Sequence, residues 1–196
     1  FHAAIGDYDK ALVDYGVAIE KEPQNVSHYV NRAAVYMSRN EFEKAKSDYD
    51  RAIEINPKNG SLIQQRAIAI KAMGDLPGSL IDFNSAIELE PNNIAALMAR
   101  GFVYFQMGKH PEAIADFSKV IELNPNAAVA YNNRGYNLQQ MGEDAKALQD
   151  FDKAIELAPN YGLAHQNRAW VLLTAADVAL RKPEAALVSA EKACEL

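Results

Sequence analysis

The sequence predicts an all-α repeat solenoid, on three observations. Pro23, Pro57, Pro91, Pro125 and Pro159 recur at a constant interval of 34 residues. Each interval holds two apolar stripes at helical spacing. Asn40, Gly74 and Gly108 fall in the turn between the two stripes. A period that holds without a slip marks a repeat architecture. A stacked array of small units has no single catalytic core, so its activity is most often the surface that stacking creates.

The unit is plainest between Ile94 and Ala127. Leu97, Gly101 and Tyr104 fall at i, i+4 and i+7, as do Ala113, Phe117 and Val120 after the break at Gly108, which is the pattern of two amphipathic helices. The same second-helix columns read Ala11, Tyr15, Ala18; Ala45, Tyr49, Ala52; Ser79, Phe83, Ala86; and Ala147, Phe151, Ala154. Ala33, Ala67, Gly101, Gly135 and Ala169 sit where the first helix crosses the second. A small side chain there lets the backbones approach, and Tyr49, Phe83, Phe117 and Phe151 fill the space beside it. All eight prolines suit this scheme. Five end a second helix; Pro77, Pro111 and Pro183 open one, where a missing N–H costs nothing.

This column-by-column pattern closely resembles the tetratricopeptide repeat, and the resemblance covers essentially the whole chain. It implies a right-handed superhelical solenoid of helix-turn-helix units whose concave groove holds extended peptides. The 34-residue period is shorter than that of the RNA-reading pentatricopeptide relatives. The expected organisation is one array over 1–196. It has a truncated repeat at 1–25, full repeats at 26–59, 60–93, 94–127 and 128–161, and an irregular terminal repeat at 162–196. Matching Ala186, Ala190 and Ala193 to the second-helix stripe of the last unit requires five extra residues within 174–185. Terminal repeats normally carry a polar outer face. The incomplete first unit and the lack of a solvating helix at the end lead to the expectation of a fragment of something larger.

Composition narrows the function. No run of about 18 apolar residues marks a membrane span. The formal net charge of −6 argues against nucleic acid as the main partner. Cys194 is the single cysteine, which excludes an intrachain disulfide and fits a reducing, cytoplasmic setting. The chain begins with Phe1 rather than Met, so the lack of a visible signal segment says little about targeting. His2, His28, His110 and His165 show no metal-ligand spacing. The stretch Gly74-Asp75-Leu76-Pro77-Gly78 follows no strand, so it does not read as a phosphate loop. Acidic residues such as Glu41, Glu43, Asp48 and Asp50 read as solvated helix faces, and Asp144 as dipole compensation at a helix start. No catalytic residue, metal or cofactor is expected.

Two charged columns also repeat at 34: Arg32, Arg66, Arg100, Arg134, Arg168 and Asp14, Asp48, Asp82, Asp116, Asp150. Each Asp lies 18 residues before an Arg, and four of them lie 16 after one. The 18-residue pairing uses all ten side chains and predicts an inter-repeat ladder, with Asp48 near Arg66 and Asp116 near Arg134. The alternative, a basic stripe for an anionic ligand, is disfavoured by the Asp that accompanies each Arg.

The face opposite the first-helix core stripe is located by subtraction. In the first full copy it carries Ser27, Asn31, Ala34 and Ser38. The same columns lead through Gln65, Ala99, Phe102, Asn133, Tyr136, Asn167 and Trp170, and none of these positions is charged. Val30, Gln64, Met98, Asn132 and Gln166 lie beside them. Chaperone-binding members of the family clamp a terminal carboxylate with Lys and Arg on this face. This sequence lacks them at the matching positions. The face looks more like the asparagine ladder of the O-GlcNAc transferase superhelix, in which amides bond a peptide backbone. Asn31, Gln65, Asn133 and Asn167 would supply the ladder, since an amide both donates and accepts; Phe102, Tyr136 and Trp170 would supply an aromatic step. Two alternatives stay open here: amides that are ordinary polar surface, and burial of Trp170 against the irregular last unit. The expected function is a non-catalytic module that binds a protein or peptide, largely uncharged. The rivals are a scaffold that self-associates through its terminal repeats and a docking segment of a larger enzyme.

Overall fold

The structure, a computed structural model, describes residues 8–196. His2 therefore lies outside the described residues. The chain divides into two compact units, Phe1–Ala96 and Leu97–Leu196. Among the described residues there are eleven α-helices and no strand. They are α1 (Tyr8–Lys21), α2 (Val26–Ser38), α3 (Phe42–Ile55), α4 (Gly60–Ala72), α5 (Leu76–Leu89), α6 (Ile94–Gln106), α7 (His110–Leu123), α8 (Ala128–Gln140), α9 (Asp144–Leu157), α10 (Gly162–Thr174) and α11 (Pro183–Glu195). The even-numbered helices begin 34 residues apart. A short 3-10 turn, Val178–Leu180, lies in the last connection.

Local chemistry fixes the helix ends. Pro77, Pro111 and Pro183 lie in the first turn of α5, α7 and α11. Asp75 caps α5 by accepting from the Gly78 N–H at 2.8 Å, so the glycine-containing stretch is a helix start. The turns inside the hairpins need a left-handed residue, and Asn40, Gly74, Gly108 and Gly142 supply it at φ of 59°, 89°, 70° and 76°. In each, the amide one residue further on closes a loop back to the last helical turn. Glu41 N–H bonds Tyr36 O at 2.9 Å, Lys109 bonds Tyr104 at 2.9 Å and Glu143 bonds Leu138 at 2.9 Å.

In the first unit, Ala33, Ala45 and Tyr49 form one buried cluster with Ala69, and Tyr29, Ala52 and Leu62 form another. In the second unit, Phe117 and Phe151 are fully buried, and each lies against a glycine. A Cβ on Gly101 would meet the Phe117 ring at 3.0 Å; one on Gly135 would meet Phe151 at 2.8 Å. The second is shorter than real Cβ atoms show and the first is tighter than most, so the small-residue column is a close backbone approach. Phe151 packs with Leu138, Ala147, Val171 and Ala175.

The ion pairs run differently from the ladder the spacing predicts. Asp48, Asp82, Asp116 and Asp150 each pair with the Arg of their own hairpin, 16 residues before, by a two-bond fork. Arg32 reaches Asp48 at 2.8 and 2.6 Å, and Arg66 reaches Asp82 at 2.6 and 2.8 Å. Arg100 reaches Asp116 at 2.9 and 2.6 Å, and Arg134 reaches Asp150 with both bonds at 2.7 Å. The link to the preceding hairpin uses the residue two places later. Arg66 also donates to Asp50 at 2.8 Å, Arg134 to Ser118 at 3.2 Å and Arg168 to Asp152 at 2.5 Å. Two residues along a helix turn a side chain by about 200°, so Asp48 faces its own hairpin while Asp50 faces the next. Asp48 is consequently buried, not part of a solvated face. The hydrogen bonds with these carboxylates hold each of the four forked guanidinium groups above its ordinary pKa, against the opposing effect of burial.

Arg168 shows how the last unit is built. Its second partner is the buried Ser189, bonded at 2.6 Å, 21 residues on. Allowing for five inserted residues, Ser189 stands in the Asp column. The insertion leaves the turn closure intact, because Lys182 N–H bonds Leu172 O at 2.9 Å across the longer loop. Asp144 secures that loop by accepting from Ala176 N–H at 3.0 Å, and Arg181 donates to Ala175 O at 2.9 Å.

Three outcomes test this packing. Gly135→Leu should destabilise the chain by about 1–3 kcal/mol in denaturant unfolding, because the Phe151 ring blocks even a methyl group. Asp116→Ala should cost about 2–4 kcal/mol, since it removes the bidentate partner of an Arg100 side chain only 19% exposed. Asp50→Asn should cost only about 0–1 kcal/mol at neutral pH, because Asp50 is 34% exposed. Burial raises the Asp50 pKa, but bonds from Lys46 and Arg66 outweigh it and hold the carboxyl below its ordinary value. That stabilisation is present above the unfolded-state pKa and is lost as pH falls through the lower folded-state pKa. Acid unfolding should therefore be shallower in Asp50→Asn than in the wild type.

Candidate functional site

The face opposite the core stripe is best developed in the second unit, on α6, α8 and α10. Phe102 is 40% exposed and Trp170 is 60% exposed, so Trp170 is not buried against the last unit. Tyr136, Asn133 and Asn167 are half-buried. Phe102 packs on Phe105 with ring centroids 5.6 Å apart, and Phe105 meets Tyr136 edge-on at 5.3 Å. That T-shaped contact is the favoured geometry between aromatic quadrupoles.

A cavity of about 190 Å³ opens beside this cluster, lined by Phe102, Phe105, Phe117, Asn132, Asn133, Tyr136, Asn137, Leu163 and Asn167. A second, of about 490 Å³, adjoins it through Tyr136 and Asn167. Its other lining residues are Gln139, Gln140, Gln166, Ala169, Trp170, Leu173 and Ala190. Neither carries a charged residue. The walls are aromatic and aliphatic, and their polar side-chain groups are amides, the Tyr136 hydroxyl and the Trp170 indole N–H.

The amides are held in place. Asn167 Nδ2 donates to Asn132 Oδ1 at 2.9 Å, joining α10 to α8. Asn132 Nδ2 donates in turn to Asn133 Oδ1 at 3.3 Å. Asn133 Nδ2 and Asn167 Oδ1 have no partner among the described residues, which leaves one donor and one acceptor for a ligand. Burial pushes the Tyr161 phenol above its ordinary pKa, with its hydrogen bond to Asn132 acting the other way.

The structure thus brings Phe102, Asn133, Tyr136 and Asn167 around one cavity and Trp170 around the next. Asn31 and Gln65 occupy the equivalent columns in the first unit and are exposed, and neither lines these cavities. Gln64, beside them, is buried and accepts from Asn93 at 3.0 Å.

Two residues escaped the reading of the columns. Phe105 lies one turn after Phe102, and an aromatic pair at i and i+3 is a legible signal. Asn137 interrupts a column otherwise filled by Val35, Ala69, Val103 and Val171, all buried. It is only 1% exposed, and its amide is paired on both sides. Nδ2 donates to Asn133 O at 2.8 Å, and Oδ1 lies 2.9 Å from His110 Nδ1. A polar residue in an apolar column marks such a buried network. His110 is thereby a packing histidine. His28 contacts Glu22 at 3.1 Å and His165 contacts Pro159 O at 2.9 Å.

Comparison with known proteins agrees with this architecture. The family pattern described as "Tetratricopeptide repeat" matches residues 27–59 and 128–161, and the one described as "TPR repeat" matches 103–142. The chain belongs to the tetratricopeptide repeat family. Its fold is the all-α solenoid of that family, and it is a protein–protein interaction module.

YrrB, a TPR protein with an unusual peptide-binding site whose crystal structure is known, is 26% identical in sequence. The match covers 83% of this chain and 84% of YrrB, with a TM-score of 0.71. MamA from Desulfovibrio magneticus is 21% identical over 87% of this chain and 94% of its own, with a TM-score of 0.78. A tetratricopeptide repeat protein from Parabacteroides merdae is 22% identical over 99% of this chain and 75% of its own, with a TM-score of 0.81. The last two likenesses are of fold. A search of curated proteins returned no match. Among the described residues no helix is long and apolar enough to cross a membrane.

Proposed function

We propose that the chain binds an extended, largely uncharged peptide across the amide and aromatic face of its second unit, without catalysis. One observation carries the reading: two adjoining cavities lined by aromatics and amides, with no charged residue in either. An apolar side chain of the ligand would enter between Phe102, Phe105, Tyr136 and Leu163. The Asn133 and Asn167 amides would bond its backbone, which presents the donors and acceptors they lack. Trp170 would pack on a second side chain. The likeness to YrrB, a TPR protein with a peptide-binding site, supports a peptide as the ligand. Asn31 and Gln65 would present the same amide chemistry in the first unit.

The test is capture of peptides from a random unstructured library, with affinities of the enriched sequences measured for wild type and variants. The double substitution Asn133→Ala/Asn167→Ala and, separately, Tyr136→Ala should each weaken binding by about 1–2 kcal/mol while circular dichroism stays helical. Affinity should change little between low and high salt, because no ion pair forms. Undiminished binding by both folded variants would place the site elsewhere, and a steep salt dependence would point to the charged faces of the helices.

A further inference from the structure

The outer face of α11 repeats the surface on which the array seats its own helices. Allowing for the five inserted residues, Leu187 stands in the column of Ile114 and Leu148, and Glu191 in that of Asp50, Ser118 and Asp152. Ile114 of α7 and Leu148 of α9 are half-buried, because both pack against the cluster that holds Leu138 of α8 and Val171 of α10. The polar members of the other column accept from the Arg of the helix that follows. Asp50 accepts from Arg66, Ser118 from Arg134 and Asp152 from Arg168. In α7 and α9, then, an aliphatic side chain and an acceptor four residues later receive the next helix.

On α11 both groups are present, and no described helix covers them. Leu187 is 60% exposed and the adjacent Val188 66% exposed. Glu191 is exposed, and so is Glu184, on the other side of the apolar pair. Seven residues of helix place these two carboxylates about 10 Å apart along one side. Neither has an ion pair among the described residues, and the nearby Lys192 is engaged with Glu195 at 3.1 Å. Such a surface complements an amphipathic helix with an aliphatic stripe and basic residues. A second folded copy of this chain is a poor source of one. Its helices α2, α4, α8 and α10 are each already packed between two others.

We propose that the outer face of α11 docks a basic amphipathic helix of a partner protein, seated as α10 is seated on α9. An Arg of that helix would pair with Glu191, as Arg168 pairs with Asp152. An aliphatic residue three positions later would cover Leu187, in the role of Val171. A second basic residue two turns after the Arg would lie near Glu184. This surface is separate from the amide and aromatic face, and the proposal does not depend on the peptide-binding reading.

The experiment uses Cys194, the single cysteine of the chain and exposed, as reporter. It stands in the column of Ile155, which lines a groove with Arg168, so a helix seated on α11 should cover it. The probe is a stapled peptide of the α10 sequence, Gly162–Thr174, with the staple on the face away from Arg168 and its helicity checked by circular dichroism. A second peptide carries Arg168→Glu. Alkylation of the full chain is timed with and without each peptide, and every variant is compared with its own rate without peptide. The expected result is saturable slowing by the Arg peptide, at a concentration at least about tenfold below that needed for the Glu peptide. Glu191→Lys should reverse that preference. Leu187→Asp, at an exposed position, should weaken protection by the Arg peptide at least about tenfold while the chain stays helical. Light scattering should show no association as concentration rises. No protection by the helical peptide, or protection indifferent to the charge at Arg168 and Glu191, overturns the proposal. Self-association that Leu187→Asp abolishes also overturns it, because the occupant is then a second copy.

Discussion

The close approach of the two helices in each hairpin is the constraint on which the other features depend. In the second unit it is set by a glycine over a phenylalanine ring, with Gly101 against Phe117 and Gly135 against Phe151. At that separation the Arg and Asp of one hairpin are near enough for a two-bond fork, and the Asp side chains lose water. The buried carboxylate would be costly alone, and the guanidinium offsets it with matched geometry. The same approach directs the remaining face of α6, α8 and α10 away from the core. Phe102, Asn133, Tyr136, Asn167 and Trp170 are therefore presented on rigid helices, and a site on rigid elements orders few side chains when a ligand binds.

Much of the fold was legible because steric rules repeat with the chain. Prolines two residues past a helix, small residues at crossings and a left-handed turn residue each need a particular residue type, so they appear as columns. The ion-pair register was not legible from columns alone. Spacings of 16 and 18 both span a helical hairpin, and a repeat cannot say which way a side chain faces. Asp48 and Asp50 differ by two residues and face opposite neighbours, and that rotation decides the partner. Counting which pairing used every residue was a poorer guide than helix rotation.

The candidate face was legible in part. Amides and aromatics stood out because subtraction of the core stripe leaves them uncharged. The depth of the cavities was not visible, since it depends on Phe105 and Asn137. Asn137 was the stronger missed signal. Its column is otherwise Val or Ala, and a lone amide among buried apolar residues must find partners or destabilise the fold. It finds them in Asn133 O and His110 Nδ1. The residue beneath the cavity thus ties the backbone of α8 to the start of α7, and holds Asn133 where its side chain can reach a ligand.

The last unit shows what the repeat requires and what it tolerates. Five inserted residues shift Ser189 into the place of an Asp, yet the closing bond from Lys182 to Leu172 and the contact from Arg168 both survive. A longer surface loop carries only a small additional closure entropy, so the insertion costs little once Asp144 and Arg181 anchor it. Ser189 in place of Asp removes one charge from the column, and Arg168 compensates by binding Asp152 of the preceding helix. The hairpin geometry is therefore the conserved quantity within this chain, and the charges adjust around it. The presented face follows the same logic, since Leu173 and Trp170 keep the columns of Phe105 and Phe102 despite the irregular turn that follows them.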